Sequence, residues 1–114
     1  MSLKKNPLKL NKLQLRTLAL AQVLAGNTET SLKNEKTGCV ALTGLPQGHG
    51  NHVHVGNFTV TSRDASGFFN PAVWSALERK GLSLPEGPIR ISLTPTALVY
   101  DTGLGNKFLT KSDH

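Results

Sequence analysis

The sequence predicts a small α+β domain whose elements run helix–hairpin–helix–hairpin–short helix. Three observations predict it. Residues 8–25 are rich in leucine and alanine and have a helical period. The stretch from Asn70 to Gly81 carries the start and stop signals of a second helix. Two pairs of alternating apolar and polar runs, 38–43 with 52–61 and 82–84 with 89–93, are joined by glycine- or proline-rich turns and read as hairpins.

In the first helix Leu10, Leu13, Leu20, Ala21 and Leu24 fall on one side, and Leu15, Leu18 and Val23 widen the apolar surface. Asn11 suits the N-cap and Gly26-Asn27 the end. So broad an apolar surface needs cover, and a homodimer through residues 8–25 is one way to supply it. Lys12 and Arg16, four apart, form a basic ridge. Residues 1–7, with Lys4, Lys5 and Pro7, read as a loose basic arm ahead of a single domain over 8–103.

Residues 27–37 are polar and read as a loop. The strand at 38–43 is followed by the glycine-rich turn 44–51, and His52 onward alternates as its partner strand. Residues 62–69 lead into the second helix as a short turn capped by Ser62, with Arg63 exposed.

For that helix, Asn70 is the N-cap and Pro71 takes the first helical position, where its missing N–H costs nothing. Phe69 and Trp74 are spaced as a hydrophobic staple. Gly81 closes the helix in the left-handed conformation, folding Leu82 back towards Leu77. Val73, Trp74 and Leu77 form the buried side, leaving Ala72, Ser75 and Arg79 for solvent or a partner. Arg79 and Lys80 in the last turn suit the helix dipole, and as exposed cations they also serve plain solubility. In the second hairpin Ile89, Ile91 and Leu93 share one face and Arg90 and Ser92 the other. Thr94-Pro95 then starts a short helix or, with Val99 and Tyr100, a strand. Residues 104–114 read as a flexible tail.

The run Val73-Trp74-Ser75-Ala76-Leu77-Glu78-Arg79-Lys80-Gly81-Leu82, followed after a short gap by Ile91-Ser92-Leu93-Thr94-Pro95, resembles the recognition helix and wing of winged-helix DNA-binding proteins of the MarR and PadR style. Leu10 to Leu20 resembles the first helix of the MarR type. A hairpin stands where that family has its middle helix. The element order resembles small bacterial proteins of the YjhX type. The resemblance implies a helix in the major groove of double-stranded DNA and a hairpin along the phosphates. Ser75 and Arg79 would face the groove, Arg63 and Arg90 would hold phosphates, Lys12 and Arg16 would add non-specific attraction, and Lys80 belongs to the same nucleic-acid-binding set.

Composition bounds the function. A chain of 114 residues makes one domain, and the net charge of +6 favours anionic partners. No apolar run reaches the roughly 18 residues of a membrane span. The single cysteine, Cys39, excludes an internal disulfide, and the N-terminus lacks a secretory core, so a cytoplasmic protein is expected. No catalytic constellation stands out: Ser66 has no nucleophile elbow, carboxylates are scattered, and the turn at 44–50 lacks the Lys-Ser/Thr of a phosphate loop. No enzyme activity and no cofactor are expected, with one exception to weigh. His52 and His54 would share a strand face roughly 7 Å apart, with His49 in the turn and Cys39 on the partner strand, a set able to hold zinc. Period-two alternation with Val53 and Val55 inward explains the same pattern without a metal.

Overall fold

The computed structural model describes residues 8–43, 48–49, 52–55, 58–61, 66–85, 91–103 and 110–111. Helix α1 spans Lys12–Ala25 and is capped as the sequence suggests. The Asn11 side chain accepts from the Gln14 N–H at 2.8 Å, and Gln14 Oε1 accepts from the Asn11 N–H at 3.0 Å. This reciprocal capping box satisfies two N–H groups that a bare helix end leaves open.

A polar stretch then yields an unexpected strand. β1 (Ser31–Lys33) pairs antiparallel with β2 (Val40–Leu42), so residues 27–37 are more than a loop. Asn34 builds the connection: its side chain accepts from the Lys36 N–H, and the Gly38 N–H donates to its carbonyl. Gly38 sits at φ +76°, where a side chain is strained.

The hairpin expected between 38–43 and 52–61 does not form. β2 has β1 and a later strand as neighbours. The 52–61 run is two strands, β4 (His52–Val55) and β5 (Phe58–Thr61), paired with each other, and β3 (Gly48–His49) lies on the other side of β4. Registers His49↔His52 and Val55↔Phe58 each leave two residues between paired strands, and both times they are Gly-Asn. That dipeptide between alternating runs is a two-residue hairpin signal, which an uninterrupted reading of the alternation overlooks.

A 3-10 turn (Ser66–Phe69) leads into α2 (Pro71–Arg79), where the Asn70 side chain accepts from the Ala72 N–H. α2 closes as expected: Gly81 has φ +77°, its N–H donates to Glu78 O, and the Leu82 N–H donates to Leu77 O at 2.9 Å. These two bonds make the Schellman closure, and Leu77 and Leu82 are both fully buried beside it. β6 (Ser83–Pro85) and β7 (Ile91–Leu93) form the second hairpin. α3 (Pro95–Val99) follows and settles the choice at Thr94-Pro95 in favour of a helix. Thr94 Oγ1 accepts from the Ala97 N–H and donates to Gly81 O, tying the end of α2 to the start of α3. Within the stretch read as a tail, β8 (Thr110–Lys111) pairs with β5. Residues 1–7 lie outside the described residues.

Two antiparallel four-stranded sheets result, ordered β1-β2-β7-β6 and β3-β4-β5-β8. The core lies between the helices and one face of the first sheet. Leu42 and Leu93 from that face meet Leu18, Leu20 and Leu24 of α1 and Leu77 of α2. Burying each of these leucines contributes roughly 1.5–3 kcal/mol, more than the ~1 kcal/mol of a cap, so packing decides the fold and the caps set its boundaries. Gln22 pins α3 to α1, donating to Ala97 O and Tyr100 O at 2.8 Å each. Among the described residues no helix is long and apolar enough to cross a membrane.

Candidate nucleic-acid interface

Helix α2 divides cleanly by burial. Val73, Ala76 and Leu77 are buried, Trp74 is half-buried, and Pro71, Ala72, Ser75, Glu78 and Arg79 are exposed. At 100° per residue the exposed set forms one continuous side with Ser75 at its middle. The inner side is held by more than apolar packing. The Trp74 indole N–H donates to Phe68 O at 3.0 Å, and the Phe68 and Trp74 rings stand 5.8 Å apart. The residue whose ring is seen on Trp74 is therefore Phe68, one position before the expected staple partner.

The expected cations divide into three groups. Arg79 and Lys80 are exposed together at the C-terminal end of α2, and Ser75 lies one turn before Arg79 on the same side. Lys12, exposed, and Arg16, half-buried, lie on α1. Arg63 and Arg90 lie outside the described residues.

The 3-10 turn relates the first two groups. Gly67 packs so closely on α1 that a Cβ there would run into Thr17 Oγ1 and approach Leu13 Cδ1 to 3.4 Å. Lys12 and Arg16 neighbour these two residues in sequence, which sets that half of α1 beside the start of α2. Arg79 and Lys80 lie at the other end of a helix about 13 Å long. The two basic groups thus belong to opposite ends of α2. Glu78 is the one acid on its exposed side.

α1 is enclosed by its own chain. It packs on the 3-10 turn, α2, β2 and α3, and within it Lys12 alone is exposed. The apolar surface it leaves is that of the half-buried Leu13, Leu15, Val23 and Ala25.

The histidine set loses its fourth member. Cys39 directly precedes β2 in the first sheet, while β4, which carries His52 and His54, pairs with β3 and β5 in the second. Cys39 is thus not on the strand beside those histidines, because the expected hairpin does not exist. His49 is a strand residue opposite His52 rather than a turn residue. The histidine side chains lie outside what is described. Among the described residues no group of three or more His, Cys, Asp or Glu is placed to hold a metal ion.

β1 and the surface beside it escaped sequence reasoning. The signal was present in Asn34 and Gly38, a turn-starting residue and a left-handed residue four apart, but the polar composition of 27–37 masked it. Comparison with known protein families, with curated proteins and with solved structures finds no match for this chain.

Proposed function

We propose that this chain is a winged-helix-type domain that binds double-stranded DNA without catalysis. α2 is the helix offered to the major groove, and the β6–β7 hairpin is the wing. The observation that carries the reading is the exposed side of α2, small and polar at its centre with Ala72 and Ser75 and basic at its end with Arg79 and Lys80. An α-helix with its side chains is about 10–12 Å across, which suits a groove roughly 12 Å wide. Ser75 and Arg79 face the base edges in this reading, and Lys80, Lys12 and Arg16 act on phosphates, with Arg63 and Arg90 assigned there by sequence. The charge of +6 supplies the long-range attraction. A cytoplasmic location belongs to the same reading and suits a chain with one unpaired cysteine.

Titration against random duplex DNA at two salt concentrations tests it. Binding at low salt that weakens steeply at the higher concentration is expected. Absence of binding at low salt, or affinity indifferent to salt, overturns it. A homodimer through residues 8–25 is the weaker alternative, since α1 keeps little uncovered apolar surface.

A further inference from the structure

The second sheet sorts its residues by face. Residues directly opposite on adjacent antiparallel strands share a face, as do residues two apart on one strand. The registers His49↔His52, His52↔Thr61, His54↔Thr59 and Thr59↔Thr110 therefore collect His49, His52, His54, Thr59, Thr61 and Thr110 on one face. The pair Val53↔Val60 belongs to the other, and Val60, 1% exposed, is part of the hydrophobic core. The three histidines are thus on the face turned away from that core.

A need for polarity does not account for them. On β5 and β8 this face carries threonine at every position, while on β3 and β4 it carries histidine at every position. Threonine is already a good strand residue for a wet face. Histidine adds a ring nitrogen, the commonest protein ligand for metal ions. The spacing suits one ion. His49 and His52 are directly opposite, with Cβ atoms about 4.5–5.5 Å apart, and His54 lies roughly 7 Å along the strand from His52 and about 7–8 Å diagonally from His49. Only Gly50 and Asn51 separate His49 from His52, so the turn itself fixes this register.

We propose that His49, His52 and His54 bind a zinc ion through three imidazole nitrogens, with the fourth tetrahedral position left to water or an anion. Three imidazoles and one open position form a ligand set that zinc accepts. The donor types follow from the sheet. β3, β4, β5 and β8 contain no carboxylate and no cysteine, and Cys39 adjoins β2 in the other sheet. Nitrogen donors alone favour zinc over magnesium and calcium, which take oxygen ligands. None of these residues is on α1 or α2, so the proposal stands apart from the DNA reading and is tested without DNA.

The test is calorimetric titration of zinc chloride into the untagged full chain. One ion per chain is expected, saturating in the micromolar range, with magnesium chloride giving no binding. Each of His49→Ala, His52→Ala and His54→Ala should weaken zinc at least ten-fold, since even groups behind the ligands are worth about 10–100-fold. Melting temperatures without metal report whether each variant is folded, and Gln replaces Ala at any position where Ala lowers that temperature. His114→Ala, which removes the chain's remaining histidine, and Cys39→Ser should bind zinc like the wild type. The proposal is overturned if zinc does not bind, if magnesium binds as tightly, if any of the three strand variants binds zinc like the wild type, or if His114→Ala or Cys39→Ser weakens it as strongly as they do.

Discussion

Helices α1 and α2 touch each other, yet they relate to the surface in opposite ways. α1 has one exposed residue, Lys12, and is surrounded by the 3-10 turn, α2, β2 and α3. α2 buries three residues and exposes a full side. α1 is thus the spine around which the chain condenses, and α2 is the helix with room for a partner. Leucine content alone does not tell the two helices apart: the more apolar one is packed by the 3-10 turn, α2, β2 and α3 of its own chain.

The contrast can be broken from its inner side first. Leu77 is fully buried where α2 meets the core, so Leu77→Ala should destabilise by about 2–5 kcal/mol in denaturant unfolding. A loss under about 1 kcal/mol would mean that α2 is not anchored as described.

Gly67 comes next. An added Cβ would collide with Thr17 Oγ1 and lie 3.1 Å from Thr17 Cβ, so Gly67→Ala should cost about 1–3 kcal/mol through overpacking. Thr17 is fully buried, and its hydroxyl has no hydrogen-bond partner among the described residues. The two residues share one contact, so adding Thr17→Ala should restore part of the loss, and a double-mutant cycle measures the coupling. Strict additivity would contradict the close approach of the 3-10 turn to α1.

Gly81 supplies the smallest effect and a different mechanism. Open space surrounds its Cβ position, but its φ of +77° is strained for any other residue. Gly81→Ala should cost about 1–2 kcal/mol from backbone strain alone, and Gly81→Asn less, since Asn tolerates that conformation better. Equal losses for Ala and Asn would point to sterics instead.

These residues also show what was readable in the chain. Asn70, Pro71 and Gly81 act through local backbone chemistry, so α2 and its ends follow from sequence, as do Asn11 and the start of α1. Strand partners do not follow so easily. Val40–Leu42 was recognisable as a strand, but its neighbours, β1 and β7, lie up to some fifty residues apart in the chain, and pairing depends on where the core closes. The exposed side of α2 was readable from helical period because one face pairs with one core. The histidine face was readable only in part: alternation puts His52 with His54, but His49 joins them only once the β3–β4 register is fixed.

The central claim is that the outer side of α2 meets duplex DNA through its basic end. The direct measurement is the slope of log affinity against log salt for the wild type and for Arg79→Ala with Lys80→Ala. Both residues are exposed, so the melting temperature should hardly move. With Lys80 on a phosphate and Arg79 at the base edges, the slope should become shallower by about 0.9. A wild type that does not bind at low salt, or a variant with the same slope and affinity, would contradict the claim.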